Sequence, residues 1–158
     1  MTDDAHSPAE ELSSAEPVTA SLEHLVFDGD CGFCSASARF ARRYIRTPAR
    51  IEPWQHLDLA VLGLTRDECQ EALCWVGAAR PGQPRRTAAG PEAIAALLSG
   101  STGNWSAAGW RMLGRLLATR PVLALAWPAY RWTARNRYRL PGGTPACEIT
   151  QSSDMHSA

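Results

Sequence analysis

Lysine is absent from this sequence: all 16 basic residues among its 158 are arginines, and they balance 16 acidic residues. The stretch 93–147, in turn, contains no acidic residue. A phosphatase built on the pattern Asp28-x-Asp30 would need a lysine for the phosphoryl group and carboxylates late in the chain for a metal ion. These two absences exclude that class of enzyme.

Other signatures are missing as well. No apolar run approaches the ~20 residues that a bilayer span requires. The chain also lacks the basic start and apolar stretch of a secretory signal, so we expect a cytosolic protein. Neither a phosphate-cradling glycine loop nor a serine triad nor a nucleic-acid-binding motif is found, so nucleic acid is not an expected partner.

Charge is distributed unevenly along the chain. Residues 1–24 contain six acidic residues and no arginine, whereas residues 93–147 contain seven arginines. Residues 1–21 are rich in Ser, Ala, Glu and Pro without apolar periodicity, which predicts a disordered acidic N-terminal tail. The remainder is predicted to have three parts: an α/β core at 22–100, a helical C-terminal extension packed on it at 101–140, and a flexible C-terminal tail at 141–158.

Two closely spaced cysteines lie in the most informative stretch. Residues 25–27 form a short apolar run typical of a buried strand, and the Asp-Gly-Asp triplet that follows breaks it. A helical pattern then begins, with arginines on one side. Its apolar side comprises Phe33, Ser37, Phe40, Ala41, Tyr44 and Ile45. Cys31 is therefore predicted at the junction of strand and helix, with Cys34 in the first helical turn.

This placement has consequences for reactivity. Unpaired N–H groups and aligned peptide dipoles at a helix N-terminus stabilise a thiolate, so Cys31 is the predicted nucleophile. Cys34 is close enough to form a disulfide with it. Nearby carboxylates oppose a thiolate, but Asp28 is a candidate to accept the proton of Cys34 when that thiol attacks a mixed disulfide. A C-x-x-C pair in this setting indicates redox chemistry.

The rest of the core alternates strands and helices. Further short strands are predicted at 49–54, 73–77 and 85–88, the last returning antiparallel after a Pro-Gly turn. Thr65 and Glu68 form a capping-box pattern, and Pro91 opens a compact helix that Gly100 ends. This order favours a thioredoxin-like α/β fold, in which helices flank a central mixed four-stranded sheet and a helical C-terminal extension follows.

The cysteine stretch also resembles the signature of a known family. Phe27-Asp28-Gly29-Asp30-Cys31-Gly32-Phe33-Cys34 is similar to the D-x-x-C-x-x-C pattern of the DCC family of thiol-disulfide oxidoreductases. Further similarities are Gly90 to Ala93 at a helix start, the segment 128–140 with Tyr130 and Asn136-Arg137, and the late Cys147. The resemblance covers about residues 23–148. It implies a thioredoxin-like fold and thiol–disulfide exchange, which needs no bound cofactor.

One departure from better-known thioredoxins concerns the substrate groove. Those proteins place a cis-proline just before the third strand, facing the cysteine pair. Residues 65–74 of this chain contain no proline. We therefore expect either that another residue takes this role or that the groove has a different shape.

Residues 105–140 are the least thioredoxin-like part. Ser106 is a candidate helix cap, and Pro121 starts a mostly apolar run that ends before Pro128. Three arginines are predicted to recur along one helical face: Arg131, Arg135 and Arg139. We favour two helices packed on the core, with buried tryptophans and a solvated basic face. The alternative is a surface for an anionic partner, either a membrane face or a nucleic acid.

Two functions of different classes fit these residues. The first is a thiol-disulfide oxidoreductase in which Cys31 attacks a disulfide-containing protein or small molecule, Cys34 resolves the mixed disulfide, and an external thiol supplies electrons. The second is a non-catalytic thioredoxin-like binding module, membrane-associated in one version, with structural or zinc-bound cysteines.

The zinc alternative depends on further ligands, since a structural zinc site is tetrahedral and closed. The candidates are Cys69, Cys74, Cys147, His24 and His56, and none of them forms a second tight pair. Cys69 and Cys74 are better interpreted as small buried hydrophobic residues. No metal site is therefore predicted.

Overall fold

A computed structural model describes residues 22–137 and 139–140. The acidic tail predicted at 1–21, the flexible tail predicted at 141–158 and Cys147 lie outside the described residues. The boundary drawn between core and extension at residue 100 stays a prediction.

A four-stranded mixed sheet forms the centre of the fold. Its strands are β1 (His24–Phe27), β2 (Arg50–Pro53), β3 (Cys74–Val76) and β4 (Thr87–Ala89). Their spatial order is β2-β1-β3-β4, with β1 parallel to β2 and antiparallel to β3, and β3 antiparallel to β4. The predicted α/β class and mixed sheet of a thioredoxin-like fold are confirmed.

Six α-helices surround this sheet in the described residues. They are α1 (Gly32–Tyr44), α2 (Leu59–Leu62), α3 (Arg66–Glu71), α4 (Pro91–Ser99), α5 (Trp105–Leu117) and α6 (Arg120–Asn136). None of these helices is long and apolar enough to cross a membrane.

Local sequence signals explain several of the helix ends. Thr65 and Glu68 make the predicted reciprocal capping box at the start of α3, and Pro91 occupies the first position of α4. The predicted Ser106 cap is wrong: the N-cap is Asn104, so α5 begins two residues earlier than a Ser106 cap requires. The Ser106 hydroxyl contacts the Asn104 side chain at 3.3 Å. Gly103, with φ of +120°, turns the chain just before that start.

The apolar and basic segments of the C-terminal region form one helix. Pro128 lies inside α6 on its exposed side. Proline has no N–H, so the carbonyl group four residues earlier loses its helical hydrogen bond, and on the exposed side that carbonyl can bind water instead. Because α6 ends at Asn136, Arg139 lies beyond it. The prediction that Arg139 shares a helical face with Arg131 and Arg135 is therefore wrong.

The two faces of the sheet carry separate hydrophobic clusters. Because side chains alternate along a strand, Leu25 and Phe27 join one cluster with α1 and α4, whereas Val26 joins the other. The second cluster contains Cys69 and Cys74, both buried as predicted. A hydrogen bond to Cys69, together with burial, raises the pKa of Cys74 and keeps that thiol protonated.

Several large apolar side chains predicted to be buried are exposed. Trp105 is 92% exposed and Trp132 62%, because α5 packs on the core through small residues such as Ala107 and Gly114, and α6 has no fully buried residue. On α1 the buried positions are Ala38 and Ala41, together with Ile45 at the helix end. Phe40 and Tyr44 of the predicted apolar side are more than half exposed and contact each other, with ring centroids 4.8 Å apart.

Candidate functional site

The two cysteines of the C-x-x-C pair lie at the junction that the sequence predicts. Cys31 is the N-cap of α1, and Cys34 lies in the first turn. The Cys34 N–H donates to Cys31 Sγ at 3.2 Å, so the sulfur takes the place of the usual capping oxygen. The Cys31 N–H donates to the Asp28 carbonyl at 3.3 Å and closes the preceding turn. This geometry directs partial positive charge from the helix towards Cys31.

The two thiols differ in exposure, and the surroundings of Cys34 raise its pKa. Cys31 has no exposed surface, whereas Cys34 is half-buried and faces a cavity. Burial raises the pKa of Cys34 to about 12, helped by a hydrogen bond to Cys31 and by the negative charges of Cys31 and Asp28. The positive charge of Arg137 opposes this rise. Cys34 therefore keeps its proton at neutral pH.

Asp28 is buried and fully engaged. The Asp30 N–H donates to Asp28 Oδ1 at 3.1 Å, which is the turn role expected of aspartate at this position. Gln55 Nε2 donates to the same oxygen at 3.3 Å. On the other side, Arg137 Nη2 lies 3.4 Å from Asp28 Oδ2, and both side chains are largely buried. The carboxylate therefore stands beside the cysteines as one half of an ion pair.

One residue of α6, Tyr130, and the residue after the helix, Arg137, attach α6 to the site. The Leu73 N–H, just before β3, donates to the Tyr130 hydroxyl at 2.8 Å. Arg137 also donates to the Gln70 carbonyl at 2.8 Å. The Tyr130 hydroxyl thus accepts a hydrogen bond from the backbone in the segment where thioredoxins carry their cis-proline. The described residues contain no cis peptide bond. Arg137 therefore contacts both the core and the Asp28 carboxylate of the site.

A cavity of about 320 Å³ opens between the C-x-x-C pair and α6. Its wall is mainly apolar and comes from β1, α1, α4 and the C-terminal helices. Its polar and reactive lining includes Asp28, Cys34, Cys69, Tyr130 and Arg137. Since an apolar cavity of about 150 Å³ admits benzene, this one has room for a larger apolar group beside a thiol.

The sequence predicts part of this site. Cys31, Cys34 and Asp28 lie close together as expected, whereas Gln55 carried no recognisable signal. Tyr130 and Arg137 belong to the closing element of the resemblance, which could have indicated a role near the cysteines. Among the described side chains no group of three His, Cys, Asp or Glu residues could hold a metal ion.

The fold and the cysteine pair define the class of thioredoxin-like proteins with a C-x-x-C site. A family model described as DCC1-like thiol-disulfide oxidoreductase matches residues 25–143. The chain therefore belongs to this family, and the resemblance noted in the sequence is confirmed. Membership indicates thiol-disulfide oxidoreductase chemistry at the general level. No curated protein and no solved structure shows a significant match.

Alkylation of Cys34 should show its raised pKa directly. Only the thiolate reacts, so a thiol with a pKa near 12 instead of the ordinary 9.0 has roughly a thousandfold less thiolate at pH 8, and its rate should climb with pH up to about pH 12. Replacing Cys31 by alanine removes a hydrogen bond and a negative charge, so Cys34 should then react faster. Mass-mapped alkylation of reduced protein measures both rates, and an unchanged rate in Cys31→Ala would contradict the coupling.

Proposed function

We propose that this protein is a thiol-disulfide oxidoreductase that works through Cys31 and Cys34. The Cys31 thiolate attacks a substrate disulfide, a mixed disulfide forms and one substrate thiolate leaves. Cys34 then attacks the Cys31 sulfur and releases the second substrate thiol. The protein ends with a Cys31–Cys34 disulfide and the substrate is reduced by two electrons.

The observation that carries this proposal is that the two cysteines have different surroundings. Cys31 caps the helix and accepts the Cys34 N–H, while Cys34 keeps its proton at neutral pH. A protonated Cys34 that lies within hydrogen-bond distance of Cys31 suits the second step of exchange, in which it attacks the Cys31 sulfur. Cys34 must lose its proton in the second step. We assign its acceptance to Asp28, which lines the same cavity, or to water.

We further propose that the substrate reaches the pair from the cavity. Cys31 has no exposed surface, so exchange requires the surrounding groups to move, and the cavity side already exposes Cys34. The apolar wall favours a protein or small-molecule disulfide with apolar groups beside the reacting sulfur. We propose that an external thiol regenerates the dithiol and that the protein works in a reducing compartment such as the cytosol, where such thiols are abundant.

A redox titration tests the function. Purified protein is equilibrated in glutathione buffers, and free thiols are counted by alkylation and mass mapping. We expect reversible formation of a Cys31–Cys34 disulfide while Cys69 and Cys74 stay reduced. A midpoint near roughly −270 mV would indicate a reductant, and one near about −120 mV an oxidant. If no such bond forms, or alkylation first needs a chelator, the proposal fails and a binding module with structural or metal-bound cysteines takes its place.

A further inference from the structure

The outward side of α5 is a row of large apolar side chains. Trp105, Met112 and Leu116 are spaced by whole helical turns and therefore share one face. They are 92%, 76% and 56% exposed, and Leu113, nearly half exposed, lies beside them. Only small residues of α5, such as Ala107 and Gly114, are fully buried. The helix thus presents its bulky apolar side to solvent.

The outward side of α6 repeats this arrangement. Leu125 is 78% exposed and lies on the same face as Trp132. Two exposed prolines lie along this row: Pro128 between Leu125 and Trp132, and Pro121 before Leu125. The exposed arginines of α6, Arg120, Arg131 and Arg135, flank this row on one side. Both helices therefore combine an apolar row with nearby positive charge.

Charge indicates what these rows contact. Single exposed apolar residues are ordinary, but contiguous rows of this size mark an interaction surface. Residues 93–147 contain seven arginines and no acidic residue, so the surrounding field attracts anions. Two copies of this chain would bring like charges together. Only Trp105 and Trp132 in these rows carry a ring on which a nucleic-acid base could stack, whereas Met112, Leu116 and Leu125 offer none.

We propose that the outer faces of α5 and α6 bind the surface of an anionic lipid membrane. The tryptophans lie at the depth of the headgroups, the aliphatic side chains enter the upper acyl region, and the arginines reach lipid phosphates. The contact is interfacial, since no described helix can cross a bilayer. This inference does not depend on the redox proposal, because none of these side chains belongs to the cysteine site.

Vesicle binding of the full-length protein tests this surface. The probes are phosphatidylcholine vesicles with and without phosphatidylglycerol, read out by co-sedimentation and by tryptophan fluorescence. We expect binding to the anionic vesicles with a blue shift from Trp105 and Trp132, weaker binding to the neutral ones, and release by salt.

Matched variants separate the apolar contribution from the charge contribution. Met112→Gln combined with Leu125→Gln should weaken binding about tenfold or more to both vesicle types. Arg120→Gln combined with Arg135→Gln should weaken binding to anionic vesicles about tenfold or more and remove the preference for them. Phe40→Gln and Arg39→Gln, which change exposed residues of α1, are the controls and should bind like the parent protein.

Three outcomes would overturn the inference. The first is no binding to either vesicle type by a protein whose circular dichroism and C-x-x-C titration are normal. The second is binding that the α1 variants weaken as much as the α5 and α6 variants do. The third is a concentration-dependent dimer that Met112→Gln with Leu125→Gln abolishes, which would assign these rows to a second copy of the chain.

Discussion

Replacing Cys31 by serine should lower the rate of disulfide reduction by about a thousandfold or more. The hydroxyl of serine is not ionised near neutral pH, so the helix N-terminus no longer holds a nucleophile. Cys34 cannot substitute efficiently, since burial and its surroundings hold its pKa at about 12 in the parent protein. The measurement is reduction of a small chromogenic disulfide at pH 7 with an external thiol as reductant.

Two matched variants sharpen this experiment. Cys34→Ser keeps the nucleophile but removes the resolving thiol, so a mixed disulfide on Cys31 should accumulate and be visible by mass spectrometry. Cys74→Ala removes a buried cysteine that is outside the pair and does not line the cavity, so it should leave the rate nearly unchanged. If Cys31→Ser reduces the substrate at the parent rate, or if the trapped adduct is found on Cys34 in a Cys31→Ser protein, the assigned order of attack is wrong.

The junction at the cysteine pair was predictable because its signals are local. An apolar run, a turn-forming triplet and a change of period place Cys31 and Cys34 within a few residues of sequence. The same holds for the capping box of Thr65 and Glu68 at the start of α3. These features depend on neighbours along the chain, which a sequence displays directly.

The environment of Asp28 was not predictable because it depends on distant residues. Arg137 follows the last helix described and Gln55 follows β2, yet both contact the Asp28 carboxylate. Only the packing of α6 across the site brings Arg137 there, and the sequence does not state that packing. The contact of Tyr130 was unpredictable for the same reason, because only tertiary structure brings its hydroxyl to the Leu73 N–H.

The exposed tryptophans have a different explanation. Amphipathic spacing identifies the apolar face of a helix but not which neighbour covers it. On α5 the core is in contact with the small residues, so Trp105 lies on the opposite side. The prediction of buried tryptophans is therefore wrong for Trp105 and Trp132, whereas Trp110 of α5 is partly buried and packs against the core. That error is informative, since the rows left exposed are those we propose to contact lipid.

The small residues of α5 lead to the second large effect, on stability. Gly114→Ala should lower the free energy of unfolding by about 2 kcal/mol, because it overpacks a tight helix contact. A Cβ at Gly114 would lie 2.6 Å from the Ser99 backbone nitrogen and 2.8 Å from Leu98 Cβ, so α4 and α5 would have to separate. Leu98 lines the cavity, so this shift would also disturb the site.

Gly109→Ala on the same helix is the matched control. Nothing lies within 4 Å of a Cβ at Gly109, so there the usual helical preference for alanine should raise stability by about 0.5–1 kcal/mol. Urea unfolding of both variants measures the difference. If the free energy of unfolding falls in Gly114→Ala and rises in Gly109→Ala, the close approach of α4 and α5 is what requires glycine at position 114. Equal stabilisation by both alanines would mean that the two helices are farther apart, and the orientation that exposes Trp105 and Met112 would lose its physical basis.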